Sequence, residues 1–400
     1  MAADAGTARI APRNARAALF IELALALGGF GIGTGEFVIM GLMPDVATAL
    51  AVTEPQVGHL ISAYALGVVV GAPLLAVFGA RLYRRHLLLL LMAFFALGNF
   101  ASALAPGYGS LLLFRFIAGL PHGAYFGVAA LVAAGLVPPA QRAAAVSRVM
   151  LGLTSAILVG NPLATWLGQW LSWRYAFGLV GLIALATVAM LFAFLPLERD
   201  EARSSPVQEL RALRRIQVWL ALGIGAIGFA GMFCVFSYLA PTLMEVTGVR
   251  HSLIPVALAV FGLGAVAGNI AGGWLFDRLQ FGAVGGLLGW SALVLLLFPL
   301  AAQAWWSALL SVFAVGTMVS LSPPLQTRLM DVAADAQTLA AASNHAAFNI
   351  ANALGPWLGG LAITAGFGWT STGYVGAAMA VGGYAIYRLA LRADRRAAMA

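Results

Sequence analysis

Two carboxylates, Glu22 and Glu36, lie inside long apolar runs. An ionised carboxylate at the centre of a bilayer costs roughly 2.5–3.5 kcal/mol on insertion scales. Each must therefore face a cavity, meet a partner or hold a proton, and a group that takes up and releases a proton in such a place can carry one. The two are 14 positions apart, which puts them on one helix face about 21 Å apart along the axis. Glu22 stands near the polar end of its run, where it can snorkel to water. Glu36 stands deeper, among Gly33, Gly35 and Gly41. It is a candidate proton carrier or substrate ligand; the alternative is a structural carboxylate hydrogen-bonded between helices.

Arg115 is the one arginine placed mid-run. Its guanidinium requires a carboxylate or several carbonyls, and Glu36 is one possible partner. His122 follows two turns later on nearly the same face. A histidine titrates near neutral pH and can relay a proton or bind a hydroxyl; the alternative is an ordinary satisfied polar residue. His345 belongs to a polar group with Asn344, Asn349 and Asn352. Positions 345, 349 and 352 share one helix face, which either lines a cavity or joins helices. Phe37, Tyr64, Tyr125, Phe126, Phe229, Phe233, Phe236 and Tyr238 could line the same cavity, against the plainer alternative of packing. Gly160 with Pro162, and Gly355 with Pro356, would kink or thin their helices, because proline removes a backbone hydrogen bond.

Other chemistries find no support. Cys234 is the single cysteine, so neither an intramolecular disulfide nor a thiolate metal cluster is implied. There is no Walker loop, nucleophile elbow, zinc spacing or haem signature. Gly264-x3-Gly268 and Gly268-x3-Gly272 read as helix-packing motifs. No cofactor and no enzymatic activity are implied.

The elements that hold these residues follow from composition. The chain has 400 residues, 62% of them apolar and 9% charged, against about 25% charged in soluble domains. Its solvent must be largely lipid. The formal charge of +8 comes with arginine alone, there being no lysine. The arginines fall in short loops, so the charge points to membrane orientation and not to nucleic acid. A spanning helix needs about 20 apolar residues, and the runs are continuously apolar rather than alternating as barrel strands would be. Twelve runs are expected, near 17–41, 57–79, 87–105, 109–133, 143–169, 175–196, 217–240, 253–275, 282–300, 305–325, 338–364 and 370–392. Twelve crossings put the arginines at 9, 13, 16, 81, 84, 85, 142, 148, 199, 203, 211, 214, 215, 278, 328, 388, 392, 395 and 396 on one side, leaving Arg174 and Arg250 on the other. That asymmetry predicts cytoplasmic termini. The first run, about 25 residues long, exceeds a signal-peptide core and reads as an uncleaved helix.

The chain is also written twice. Pro44 and Pro241 lie 197 positions apart, as do Arg81 and Arg278, and Gly119 and Gly316. Gly160-Asn161-Pro162 answers Leu354-Gly355-Pro356. The expected organisation is a tail 1–16, a six-helix half 17–196, a linker 197–216, a second half 217–392 and a tail 393–400. The fold class is all-α membrane protein with twelve transmembrane helices in two pseudo-symmetric halves. Parallel repeats about an axis along the membrane normal are a transporter plan.

This organisation resembles the major facilitator superfamily. Arg115-x3-Gly119-x3-Gly123 is similar to its motif B, and Gly152-x7-Gly160-Asn161-Pro162 to the antiporter motif C, with Trp173-Arg174 following. Gly35-Glu36-Phe37, Ser62-x-Tyr64 through Pro73 and Pro121-His122-Gly123-Ala124 resemble the arabinose-efflux permease branch of the drug/proton antiporter-1 group. Motif A departs from the family pattern: Ala80 stands where an aspartate is usual, before Arg81, Arg84 and Arg85, whereas the second copy keeps Asp277-Arg278. The resemblance implies a gate latch resting more on Asp277.

The resemblance implies proton-coupled efflux of a small molecule, a sugar or an amphiphilic drug, by alternating access in a bacterial inner membrane, by a monomer. Glu36, Arg115 and His122 would couple protons. Phe37, Tyr64, Tyr125, Phe126, Phe233, His345 and Asn349 would bind substrate. Arg81, Arg84, Arg85, Gly160, Pro162, Asp277, Arg278, Gly355 and Pro356 would gate. The partners implied are substrate, protons and the bilayer, with no nucleic acid. Two alternatives stay open: a proton-coupled or facilitative nutrient importer on the same fold, and a membrane sensor that binds without transporting, although no soluble output domain accompanies it.

Overall fold

Continuous apolar runs of this length leave the backbone to satisfy itself, and helices are how it does so. The computed structural model describes residues 15–79, 82–138, 141–197, 215–333 and 337–399. The N-terminal tail to residue 14, Ala80 and Arg81, and the linker residues 198–214 lie outside the described residues.

Among the described residues, twelve helices are long and apolar enough to cross a membrane. They are α1 (Ala17–Gly41), α2 (Glu54–Leu75), α3 (Arg84–Ala103), α4 (Tyr108–Gly135), α5 (Ala144–Trp170) and α6 (Trp173–Phe194) in the first half. The second half holds α7 (Ile216–Ser237), α8 (His251–Leu279), α9 (Gly282–Ala301), α10 (Trp305–Val332), α11 (Ser343–Phe367) and α12 (Ser371–Arg396). The helix of α12 continues through the expected C-terminal tail to Met399.

The internal repeat is visible in the packing. A Cβ at Gly67 or Gly71 would collide with the carbonyls of Phe116 or Leu120, and one at Gly119 with that of Tyr64, so α2 and α4 touch backbone to backbone. At the matching positions Gly264 and Gly268 rest on Phe313 and Thr317, and Gly316 on Phe261, joining α8 and α10 in the same way. Both halves also break alike after their first helix. Leu42 (φ −99°, ψ 11°) and Tyr238 (φ −105°, ψ 18°) leave the helical region, and Met43–Leu50 and Leu239–Glu245 resume as short helices.

Symmetry fails in the middle of α5, where the matching stretch of α11 is regular helix and its π-turn, Ile363–Phe367, comes only at its end. The α5 helix is interrupted by a π-turn over Ala156–Gly160 just before Asn161 and Pro162. Pro162 follows the π-turn directly, in a helix that runs on through it with helical φ/ψ at Gly160 and Asn161. The bulge packs against the second half: a Cβ on Gly262 of α8 would lie 2.6 Å from Leu158 Cα. Gly160 lies against Thr34 and Phe30 of α1.

Hydrogen bonds between the halves gather at one end of the bundle. His251 Nε2, at the start of α8, lies 2.9 Å from Asp45 Oδ2, and its carbonyl accepts from Gln169 Nε2 at 3.1 Å. Ser62 Oγ donates to the Ala353 carbonyl at 2.8 Å. Tyr238 adds a packing contact across the same seam: its hydroxyl, bonded within the second half to the Pro356 carbonyl at 2.6 Å, lies against Gly58 of the first half. The Asp45 end is therefore closed.

Candidate functional site

Glu36 lies in the last turns of α1 and is only 5% exposed. Its Oε1 accepts a hydrogen bond from Asn352 Nδ2 of α11, in the other half, at 2.8 Å. Asn352 is 1% exposed, and its Oδ1 has no hydrogen-bond partner among the described residues. Pro356, one turn on, cannot donate the helical hydrogen bond that the Asn352 carbonyl would otherwise accept, which loosens the turn holding this side chain. In the sequence Asn352 is one member of a polar stripe with His345 and Asn349.

Arg115 is fully buried. The sequence offered the Glu36 carboxylate or carbonyls as its partner, and the structure gives carbonyls. Nη1 donates to Gly35 O at 2.9 Å and Nη2 to Glu36 O at 3.5 Å. The guanidinium lies 4.3 Å from the centre of the Tyr64 ring and 5.2 Å from that of Phe177, contacts that stabilise a desolvated cation. No arginine forms an ion pair with the Glu36 carboxylate among the described residues.

Tyr64 connects Arg115 to His122. Its hydroxyl lies 3.2 Å from His122 Nδ1. Beyond it, His122 and Phe126 have ring centres 5.3 Å apart, and Phe126 stacks on His345 of α11 at 5.5 Å with ring planes 4° apart. A polar and aromatic chain thus runs from Arg115 through Tyr64, His122 and Phe126 to the second half. Towards the closed end, Phe37 faces Phe233 and Phe236 with centroid separations of 6.5 and 6.0 Å. Asn349 donates to the His345 carbonyl at 3.0 Å, and its buried Oδ1 has no partner among the described residues.

Other expected residues are placed elsewhere. Tyr125 turns away from this group: its hydroxyl donates to Leu25 O at 2.8 Å and its ring fills the space beside Gly28 of α1. These contacts pack α4 on α1. Glu22 does not reach for water. Both its oxygens are taken by Arg148 of α5 at 2.7 Å, because a cation one helix away satisfies the carboxylate more fully than a stretched side chain could. Among the described residues no ion pair forms at the Asp277 latch. Asp277 and Arg278 are exposed, and Arg278 stacks 4.0 Å over Trp274. Of the motif A arginines, Arg81 lies outside the described residues. Arg85 donates to Phe192 O at 2.8 Å, fixing the start of α3 to the end of α6, and Arg84 stands beside it in the first turn of α3. Gly355 allows α11 to lie against Phe233 and Cys234 of α7.

The cross-half pair Asp45–His251 and the bond from Gln169 were missed. Each residue sits at the edge of an apolar run, where polar groups are common, so nothing in the local sequence distinguishes them.

A family model described as Major Facilitator Superfamily matches residues 25–344. Inner membrane transport protein YdhP of Escherichia coli K12 is 41% identical over 359 residues, 90% of this chain and 92% of YdhP. AraJ of the same strain is 37% identical over 352 residues, covering 87% and 89% of the two chains. The chloramphenicol resistance protein of Streptomyces lividans is 35% identical over 342 residues, covering 83% and 86%. The fold matches the crystal structure of a bacterial homologue of the human lysosomal transporter Spinster in its inward-facing, unoccupied conformation. The TM-score is 0.74 at 19% identity, covering 95% of this chain and 98% of that one.

Proposed function

This chain belongs to the Major Facilitator Superfamily, and its likeness to AraJ is that of the branch its motifs resemble; from that premise we propose that it exports a small molecule in exchange for protons. One observation carries the proposal. Glu36 is a buried carboxylate without an arginine ion-paired to it among the described residues, and its hydrogen bond spans the two halves that alternating access must separate. A group so placed changes its interactions both when it gains a proton and when the halves part. External protons bind Glu36 when the cavity is open to the outside. Release to the inside then leaves the carboxylate ready for substrate capture.

The exporting direction is supported by motif C and by the name of the chloramphenicol resistance relative. We place the chain in an inner membrane, as YdhP is named, with its arginine-rich loops and both termini inside. The Asp45 end is then the outer end, and the structure is an outside-closed state. Substrate meets the aromatic residues Phe37, Tyr64, Phe126 and Phe233 with Asn349 and His345. Arg115 and His122 act with Glu36 through Tyr64.

The test is flux in proteoliposomes under an imposed pH gradient, with pentoses, chloramphenicol and hydrophobic cations as probes. Accumulation of one probe against its gradient, lost in Glu36→Gln, is the expected outcome. Equal flux in the variant, insensitive to pH, would mean facilitated diffusion and leave Glu36 a structural carboxylate.

A further inference from the structure

The Asn352 side chain presents two groups to the interface, and only one is used. Nδ2 donates to Glu36 Oε1 at 2.8 Å, while Oδ1 is buried and has no partner among the described residues. Leaving a buried acceptor unsatisfied costs about 1–3 kcal/mol. An ionised Glu36 cannot relieve this, since a carboxylate only accepts; a protonated carboxyl has one O–H to donate. A carboxylic acid and a primary amide side by side make two hydrogen bonds at once. The acid C=O accepts from the amide N–H, and the acid O–H donates to the amide C=O. The first is present. The second is what the orphaned Oδ1 lacks.

We propose that Asn352 is the residue of the second half that reads the proton on Glu36, its Oδ1 accepting the hydrogen bond that the protonated carboxyl donates in the outside-closed state. Asn352 is a positioning residue: it does not carry the proton, and it links proton occupancy to closure of α1 against α11. The inference rests on the reading of Glu36 as the proton carrier and adds to it the partner and the sign. Protonation completes the two-bond pair and closes the outer end; loss of the proton inside leaves the Nδ2 bond alone and sets a carboxylate oxygen against Asn352 Oδ1, which favours separation of the halves.

Hydrogen bonds already engage most of the ionisable groups around this carboxyl. The charged and titratable groups facing this region are Arg115 and His122 of α4, Tyr64 of α2, His345 of α11 and Tyr238 after α7. Of these, Arg115 bonds to backbone carbonyls, Tyr64 to His122, and Tyr238 to the Pro356 carbonyl. From α5 come the neutral Asn161 and Thr165, hydrogen-bonded to each other, and from α6 the ring of Phe177.

The experiment uses the full chain in liposomes, with nitroxide labels on Ala49→Cys and Ser252→Cys, exposed positions of opposite halves at the outer end. Cys234 is buried and stays in place. The distance between labels is followed against pH without substrate. In the parent protein the outer end should close as pH falls. Glu36→Gln should stay closed at every pH, because its amide offers Asn352 the same donor and acceptor as the acid. Asn352→Leu should close only about one pH unit lower, the shift that one hydrogen bond corresponds to, and should release the closed state of Glu36→Gln. Asn352→Leu closing at the parent's midpoint, with Glu36→Gln still closed throughout, overturns the role of Asn352 and leaves Glu36 as proton carrier. No pH response in the parent, with Glu36→Gln unchanged, removes the reading of Glu36 itself. A readout that needs no change at 352 is the infrared carboxyl band of Glu36 at low pH, assigned by its loss in Glu36→Gln. A band at the frequency of an acid without a hydrogen-bond acceptor would also overturn the proposal.

Discussion

In the first half a buried carboxylate, a buried guanidinium, a tyrosine and a histidine stand in one connected group. Moved by the 197-position offset of the repeat, Glu36, Tyr64, Arg115 and His122 fall on Phe233, Phe261, Val312 and Val319. The second half repeats the backbone packing, glycine against carbonyl, yet answers the charged group with apolar side chains. What it presents to Glu36 and Phe126 comes from α11: Asn352, Asn349 and His345, amides and an imidazole. Duplication supplied a shared scaffold, and the carboxylate and guanidinium occupy one copy while amides and an imidazole on the other face them. A proton bound on one side alone then has an effect on the contact between the two, which equal charges on both would oppose.

Four substitutions test that division, taken from the largest effect down. Glu36→Gln should remove the entire gradient-driven component of transport, read as flux under an imposed pH gradient. If the variant keeps it, the first half holds no coupling site at this position. Arg115→Leu removes two hydrogen bonds from a buried cation, each of about 1.5–3 kcal/mol. It should lower the melting temperature in detergent sharply and reduce transport with it; a normally stable variant would mean that the carbonyls of α1 find other donors. In the second half, Asn349→Ala should raise the half-saturation concentration of the transported probe about tenfold, the loss of about 1.4 kcal/mol, with the maximal rate kept. A fall in maximal rate instead would give α11 a part in coupling and blur the comparison. Tyr125→Phe is the smallest. Losing the bond to Leu25 should cost about 1 kcal/mol of stability and leave transport unchanged, as befits a residue that packs α4 on α1.

The fold was legible because length and continuity of the apolar runs leave a chain few options, and because the repeat keeps one offset across them. Ala17–Gly41 and Trp173–Phe194 end within a few residues of the expected limits. Glu36 and Arg115 were legible for a related reason: a charge within hydrocarbon must be accounted for. Their partners were not. Asn352 is 316 positions from Glu36, and no local spacing carries that information. Arg148, the partner of Glu22, looked like one more loop arginine at the membrane edge. Asp277 shows the opposite limit. Its motif was readable, but whether a latch is engaged depends on which state the halves occupy, and one sequence encodes every state.

The π-turn of α5 has a consequence for tolerance to change in the gene. A bulge of this kind is one extra residue held within a helix. Loss of a codon within 156–160 should restore an ordinary turn, leaving Arg142–Ser155 and Asn161–Trp170 each on its present face. The same loss elsewhere in α5 turns everything beyond it by about 100°, taking Gly160 away from Thr34 or Gln169 away from His251. A codon-by-codon deletion series, scored for folded protein in the membrane, should therefore show one permissive window in this helix, over Ala156–Gly160.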